Sequence, residues 1–151
     1  PRKNELGGSA YYNVMGEVGA NLPKPDFEDA TKEIEIVTKL ISAGLVESCH
    51  DISDGGLATA LAEMCLTGGD SSAVGAKVVI TTIGQRPEKK TKKFIQVRTD
   101  IKLFSETGGF VLEIDRKKIK AAQKYAKELG IPFIKLGYTT NKKTLVVFDD
   151  G

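Results

Sequence analysis

Residues 45–65 constrain the fold most, because they join a short apolar run to a helix built from small side chains. Residues 45–49 have the composition of a short strand, and residues 53–56 have that of a tight turn. The helix that follows carries an apolar stripe flanked by alanines, and residues 68–72 end it. The stripe consists of Leu57, Leu61 and Cys65, with Ala58 and Ala62 beside it. The pattern predicts a strand, a turn and a helix that packs closely on its neighbours.

Three further helices are predicted from apolar spacing and from end signals. A short helix at residues 9–15 uses Ser9 as its cap, a long one begins after Asp26 and ends at Gly44, and a third runs from Asp115 to Gly130. The predicted inner positions are Ala30, Ile34, Val37 and Ile41 in the long helix and Ile119, Ala122, Ala126 and Leu129 in the third.

Strand composition recurs at residues 76–83, 110–114, 133–138 and 144–148. The last two segments flank Thr140, Asn141 and Lys142, which predicts a hairpin in which they pair antiparallel. Residues 85–98 are rich in lysine and arginine without periodicity, and fit either a loop or a helix with a solvated face. Because strands and helices alternate, we expect an α+β fold with a mixed β-sheet covered by helices.

The composition excludes several functional classes. The 151 residues fit one domain, and a net charge of +2 argues against a nucleic-acid partner. No apolar run approaches the roughly 20 residues of a membrane helix, so no membrane partner is expected. Cys49 and Cys65 are interpreted as reduced, small buried groups of a cytoplasmic protein. Because Pro1 begins within a charged stretch, residues 1–151 are interpreted as a single domain of a longer chain.

The turn at residues 53–56 is the first candidate site. Free amide groups at the start of a helix attract an anion, and Gly55 and Gly56 have no side chain to block its approach. The same glycines would also let the helix pack closely on a neighbouring strand. Spacing alone leaves the phosphate site and the packing role equally open.

Asp51 and Asp54 limit the chemistry of this turn. A carboxylate about 4 Å from a phosphate charge is repelled by ~4 kcal/mol at an effective dielectric near 20. An aspartate here therefore caps the helix, meets ribose hydroxyls or reaches the phosphate through Mg²⁺, and we expect Asp54 to be the cap. His50 is the only histidine. Its neighbour Cys49 would point to the opposite face of the strand, which argues against a Cys–His nucleophile pair.

Two more segments carry candidate residues. Residues 103–109 either form an ordinary helix-to-strand corner or present Ser105 and Glu106 at the edge of a cleft. Residues 4–12 contain a second Gly-Gly-Ser turn into a helix, which is typical of a capped helix with a closely packed backbone.

These segments resemble, in the same order, three motifs of one family. Residues 4–12, 50–57 and 103–106 are similar to the Glu-Leu-Gly-Gly-Ser-Glu-Tyr, His-Asp-Val-Ser-Asp-Gly-Gly-Leu and Leu-Phe-Ser-Glu segments in the C-terminal domain of phosphoribosylformylglycinamidine synthases. That family belongs to the aminoimidazole ribonucleotide synthetase-like superfamily. Gly108 and Gly109 stand where relatives often carry an arginine, so a role for that arginine is not carried over.

The resemblance implies the fold of an aminoimidazole ribonucleotide synthetase C-terminal domain and a part in an ATP-dependent carbon–nitrogen ligase of purine biosynthesis. Such enzymes convert formylglycinamide ribonucleotide to its amidine. ATP and Mg²⁺ are held mainly by N-terminal synthetase-type domains, and ammonia comes from a glutaminase subunit that acts with a small bridging subunit. We expect no metal ligand in this domain and no turnover by the domain alone. The implied substrate or phosphate site consists of Asp51, Ser53, Asp54, Gly55, Gly56, Ser105 and Glu106, with His50 as the catalytic candidate.

Two alternatives stay open at this point. The chain could belong to a sister enzyme of the superfamily, of the thiamine-monophosphate kinase or selenophosphate synthetase type. It could also be a binding or assembly module without chemistry.

Overall fold

The computed structural model describes residues 4–66, 74–84, 86–87, 94–95 and 97–150, with the backbone alone at 86–87 and 94–95. The helices in these residues are α1 (Ala10–Val14), α2 (Phe27–Ser42), α3 (Gly56–Leu66), α4 (Thr99–Phe104) and α5 (Ile119–Glu128). The strands are β1 (Ser48–Asp51), β2 (Gly75–Val79), β3 (Arg86–Pro87), β4 (Phe94–Ile95), β5 (Phe110–Glu113), β6 (Gly137–Thr140) and β7 (Leu145–Phe148).

The strands form three small sheets. β1 and β5 pair antiparallel, with His50 opposite Val111, and β3 pairs antiparallel with β4. The third sheet has the order β6-β2-β7, in which β2 runs antiparallel to β6 and parallel to β7. The fold is therefore α+β, with a mixed three-stranded sheet as well as two antiparallel pairs.

Helix α3 lies between the two larger sheets and contacts β1, β5, β2 and β7 as well as α4. Leu57, Ala60 and Leu61 are buried in a cluster that also includes Val78 from β2 and Val111 from β5. A helix enclosed on several sides has little room for long side chains. This explains why Gly56 and Ala60 accompany the two leucines on the buried face of α3.

A second hydrophobic cluster covers the other face of the β1–β5 pair. Leu40 of α2 and Ala122 of α5 are fully buried there, and Phe110 and Leu112 of β5 pack against them. Successive residues of a strand point to opposite faces, so Val111 reaches the α3 cluster while its two neighbours reach the α2–α5 cluster. β5 thus joins the two halves of the core.

Several predicted elements are confirmed. Ser9 caps α1 by accepting a hydrogen bond from the Tyr12 amide, and Asp26 caps α2 by accepting one from the Asp29 amide. Gly44 follows the end of α2, the strand predicted at 110–114 corresponds to β5, and α5 buries Ala122 and Ala126. α5 starts at Ile119 and not at the predicted Asp115. The Asp115 carboxylate accepts a hydrogen bond from the Lys117 amide, so Asp115 belongs to a turn before the helix.

The predicted hairpin between the last two strands is wrong. β6 and β7 run in opposite directions but do not pair, because β2 lies between them. Ala76 on β2 has Thr139 of β6 on one side and Leu145 of β7 on the other. The inner face of β2 is buried against α3, and this long-range packing outweighs the local turn signal.

Other predicted boundaries move. The strand predicted at 45–49 lies at Ser48–Asp51, because the Leu45 amide bonds back to Leu40 and Leu45 packs under α2. The strand predicted at 76–83 is shorter, since the Ile83 amide turns back to the Ile80 carbonyl. In residues 85–98 the described backbone forms β3 and β4, which is neither predicted alternative. The predicted helix end at 68–72 lies outside the described residues.

The predicted inner stripe of α2 is also partly wrong. Its buried residues are Ile36, Val37 and Leu40, whereas Ile34 and Ile41 are 58% and 52% exposed. The apolar side of α2 is wider than the surface that α5 and the β1–β5 pair cover, so the predicted stripe fell on its edge.

Candidate functional site

The three motif segments meet at the start of α3. Oε1 of Glu106 accepts hydrogen bonds from the amide of Gly55 at 2.8 Å and from the amide of Ala10 at 2.9 Å. One carboxylate therefore contacts the first residue of α1 and the last residue before α3. Residues that are 96 and 51 positions away from Glu106 in the chain come together here.

The two glycines at this turn have backbone conformations that L side chains rarely adopt. Gly55 and Gly56 have φ values of 75° and 66°. A Cβ on Gly56 would lie 2.7 Å from the Leu103 carbonyl oxygen and 2.9 Å from the Phe104 Cα, so α3 packs directly on the backbone of α4. A Cβ on Gly55 would collide with the Thr59 hydroxyl. Close packing explains Gly56 without any ligand.

Residues 4–12 form a packed support beside this turn. Leu6 and Ser9 are buried, and the Tyr11 ring stacks on the Phe104 ring at a centroid distance of 4.5 Å. A Cβ on Gly7 would lie 2.7 Å from the Asn21 backbone. The second Gly-Gly-Ser turn is thus the closely packed, capped helix start that its sequence indicates.

The structure divides the predicted site residues by exposure. Asp51, Ser53 and Asp54 are exposed around the turn, Gly55 and Glu106 are half-buried, and Ser105 and Gly56 are buried. Ser105 therefore does not reach the surface that the three exposed residues share. Asp54 was expected to cap α3, but the carboxylate that accepts the Gly55 amide is that of Glu106.

His50 connects the end of β1 to α3 through both ring nitrogens. Nδ1 lies 2.6 Å from the Asp51 carbonyl oxygen, and Nε2 lies 2.8 Å from a Glu63 carboxylate oxygen. The hydrogen bond to the Asp51 backbone raises the pKa of His50 above its usual value, and the Glu63 charge raises it further. Two acceptors favour a charged imidazole with both protons engaged, which is the geometry of a tether.

The two cysteines do not match their predicted burial. Cys49 is exposed on β1 and Cys65 is half-buried on α3, and both are free thiols. Partial loss of solvent around the sulfur is the main cause that raises the pKa of each thiol, with the charge of Asp51 adding to it at Cys49 and that of Glu113 at Cys65. A raised thiol pKa lowers the thiolate fraction, so neither cysteine is activated as a nucleophile.

Sequence reasoning missed a buried ion pair beneath the corner that carries Glu106. The Lys102 side chain is fully buried, and its Nζ lies 2.7 Å from Oδ1 of Asp149. The Thr99 hydroxyl donates to the other oxygen of Asp149 at 2.6 Å. This pair ties α4 to the chain that follows β7. The available signal was a lysine inside the apolar sequence Ile101-Lys102-Leu103-Phe104.

The residues that the structure describes contain neither a metal-binding cluster nor a membrane-spanning helix. No group of three or more His, Cys, Asp and Glu side chains is arranged to hold a metal ion among them. Within the same ranges, no helix has both the length and the apolar character needed to cross a membrane.

Comparison with known families decides the assignment. The family model described as AIR synthase related protein, C-terminal domain, matches residues 2–150. The chain belongs to this family. The match spans the whole described fold, including the three segments that meet at Glu106.

The proteins most useful for comparison are two PurL subunits and one viral antigen. The chain is 36% identical over 95% of its length to phosphoribosylformylglycinamidine synthase subunit PurL of Thermoanaerobacter pseudethanolicus, and 33% identical over 97% to that of Methanocaldococcus jannaschii. It is also 30% identical over 97% to the probable membrane antigen 75 of Saimiriine herpesvirus 2. The chain spans 18%, 19% and 10% of the length of these three relatives.

Solved structures share the fold. Thermotoga maritima PurL complexed with FGAR superposes with a TM-score of 0.67 and 18% identity, covering 90% of this chain and 21% of that one. PurLQS from the same organism gives a TM-score of 0.62 at 19% identity, covering 88% and 20%.

Proposed function

We propose that this chain is the C-terminal domain of an ATP-dependent ligase that converts formylglycinamide ribonucleotide to formylglycinamidine ribonucleotide in purine biosynthesis. The similarity to PurL over 95% of the chain supports this proposal most directly. The convergence of the three motif segments on Glu106 supports it independently, because it gives the motifs one shared location.

The reaction replaces an amide oxygen by nitrogen. Ammonia is the nitrogen source, and ATP is converted to ADP and phosphate as the oxygen is removed. Ser53, Asp51 and Asp54 form the exposed edge of this domain's part of the site. Ser53 is suited to donate to a phosphate or ribose oxygen, and the two carboxylates are suited to accept from ribose hydroxyls. Gly55 and Gly56 shape the turn that carries them.

His50 has a supporting role in this proposal instead of a catalytic one. Both of its nitrogens bond within the domain, so it holds β1 and α3 in place next to Asp51.

ATP and Mg²⁺ belong mainly to other domains of the intact enzyme in this proposal. The described residues of this chain provide no cage for a metal ion. The proposed partners are N-terminal synthetase-type domains of the same chain, a glutaminase subunit and a small bridging subunit, all in the cytoplasm. The solved T. maritima structure named PurLQS supports the proposal that the protein works together with further subunits.

A second candidate function is a binding or assembly module without chemistry. The similarity to a viral antigen favours it, because that relative carries the domain under a name that is not an enzyme's. Gly108 and Gly109, in the place of a family arginine, are consistent with it. A shared fold alone does not fix activity.

The test compares the isolated chain with the full reading frame that contains it. The full protein should hydrolyse ATP in a manner that depends on formylglycinamide ribonucleotide and an ammonium salt, and the isolated 151-residue chain should not. Turnover by the isolated chain would contradict its proposed role as one domain of the enzyme. Absence of turnover in the full protein with this ribonucleotide, even with both partner subunits present, would favour the sister enzymes or the binding module.

The site is tested in the full protein by Ser53→Ala, with Ser42→Ala on the exposed end of α2 as the matched control. Loss of one hydrogen bond should lower kcat/KM for the ribonucleotide about two- to tenfold. The control should leave it unchanged. Equal values for both variants would remove Ser53 from the site. Gly55 is unsuitable for this purpose, because its positive φ makes any substitution strained.

A further inference from the structure

Glu106 is placed to do more than contact a ligand. We propose that Glu106 is a positioning residue: its carboxylate fixes the two Gly-Gly turns against each other and closes the Gly55 amide to an external phosphate. The proposal deepens the proposed function by saying which group at this turn is not available to the ribonucleotide.

The first step of the proposal rests on the geometry of the two hydrogen bonds to Glu106. A single oxygen, Oε1, accepts from both Gly55 at 2.8 Å and Ala10 at 2.9 Å. Both amides stand at the start of helices, where N–H groups lack a helical partner and carry partial positive charge. A carboxylate is the strongest neutral-pH acceptor that a protein offers to such groups. Glu106 therefore supplies the anion for which the sequence predicts an external phosphate.

The backbone around Glu106 holds this carboxylate in place. The Ser105 side chain is fully buried, Phe104 stacks on Tyr11, and Gly56 packs on the backbone of Leu103 and Phe104. The corner is thus fixed by α1 on one side and α3 on the other. These contacts fix the backbone from which the Glu106 side chain extends, and its two amide hydrogen bonds then set the position of the carboxylate.

The second step of the proposal is that a phosphate would have to compete with Glu106 for the Gly55 amide. Each backbone amide has one proton, and those of Gly55 and Ala10 are already engaged by Glu106. A phosphate that approached Gly55 would also meet the negative charge of this carboxylate, besides those of Asp51 and Asp54 nearby in the chain. The ligand phosphate is therefore expected to use the Ser53 hydroxyl or groups of other domains.

The experiment compares Glu106→Ala, Glu106→Gln and the matched control Glu128→Ala, which removes an equal charge from an exposed position on α5. Amide hydrogen exchange is measured by NMR on the 151-residue chain, with Ala122 on α5 as the internal reference for global opening. Glu106→Ala should speed exchange at Gly55 and Ala10 about tenfold or more, with Ala122 unchanged. Glu106→Gln keeps a carbonyl acceptor and should restore most of the protection at both amides. Glu128→Ala should change none of them.

Several outcomes would overturn the proposal. These are protection of Gly55 and Ala10 that does not depend on Glu106, loss at only one of the two amides, or equal acceleration at Ala122. A titration of the wild-type chain with inorganic phosphate at constant ionic strength adds an independent test. A saturable shift of the Gly55 amide would also overturn the proposal, whereas an unchanged signal supports it. Neither measurement uses catalysis, so failure here leaves the proposed reaction standing, and failure of the reaction leaves this result standing.

Discussion

Helices α2 and α3 pack in different surroundings, one at the surface and one between two sheets. α2 covers one face of the β1–β5 pair and leaves the rest of its surface to solvent, where Lys39 pairs with Glu35 one turn earlier. α3 lies between two sheets and beside α4, and its buried face combines Gly56 and Ala60 with Leu57 and Leu61. α2 buries only long apolar side chains and carries a charged face, whereas α3 alternates small and long side chains on its buried face. The difference teaches that close approach of a neighbour can override helix propensity, because Gly56 is a poor helix former and packs directly on the backbone of α4.

The largest expected effects come from truncating one leucine in each helix. Leu61→Ala in α3 and Leu40→Ala in α2 should each lower the free energy of unfolding by about 2–5 kcal/mol, because both side chains are buried and leave a cavity. The measurement is chemical denaturation of the 151-residue chain.

Ile41→Ala is the control for this pair. Ile41 lies next to Leu40 in the chain but is 52% exposed, so its truncation should change stability by no more than about 0.5 kcal/mol. A loss at Ile41 as large as that at Leu40 would mean that α2 has a second covered face, and the contrast between the two helices would fail.

A smaller effect separates close packing from backbone conformation. Gly44 after α2 and Gly56 at the start of α3 have nearly equal φ values of 64° and 66°. A Cβ meets nothing within 4 Å at Gly44, whereas at Gly56 it meets the backbone of α4. Gly44→Ala should lower the free energy of unfolding by about 1–2 kcal/mol, because alanine is strained in the left-handed conformation. Gly56→Ala should lower the free energy of unfolding by about 1–3 kcal/mol more than Gly44→Ala, because the added methyl group overpacks the contact with α4.

Thermal or chemical unfolding of the two glycine variants gives this difference directly. Equal losses would show that α3 can move away from α4 without penalty. The close approach of the two helices would then not be the reason for Gly56.

The smallest expected effect is a pH dependence near neutrality, which arises where the single histidine contacts α3. The pKa of His50 is raised above the usual histidine value of 6.5, first by the hydrogen bond to the Asp51 backbone and then by Glu63. A raised folded-state pKa stabilises the fold below the unfolded value, and this contribution is lost as the pH rises through the folded value. The stabilisation from His50 should therefore be complete below about pH 6 and decline above 6.5.

NMR titration of the single imidazole measures this directly. The midpoint should lie above 6.5 in the wild type. It should fall in Glu63→Gln, which removes the charge next to Nε2. A wild-type midpoint at or below 6.5 would show that the tether between β1 and α3 does not form in solution.

The sequence indicated much of the local structure, for reasons that act over a few residues. Ser9 and Asp26 are short polar side chains that satisfy the amides of a helix start, so their capping roles could be predicted. The strand composition of residues 110–114 identified β5, and the spacing of Ala122 and Ala126 identified the inner face of α5. The order of the three motifs indicated the family, and the match over residues 2–150 bears this out.

The candidate site was only partly predictable. The sequence indicated that residues 50–57 and Ser105-Glu106 matter, but not that Glu106 bonds to Gly55 or that Ser105 is buried. The ion pair of Lys102 with Asp149 was missed, because no local pattern tells a solvated lysine from one that is buried against a partner 47 residues later.

By itself the sequence determined the starts of α1 and α2, the glycine after α2, strand β5, the inner alanines of α5 and the motifs of the family. Tertiary structure alone decided that β2 separates β6 from β7, which side of α2 is covered, and which carboxylate occupies the start of α3. The physical reason is the distance along the chain over which each interaction acts. Caps and periodicity depend on neighbours within a turn or two, whereas strand order, burial and the partners of a charged group depend on surfaces that meet only after the chain has folded.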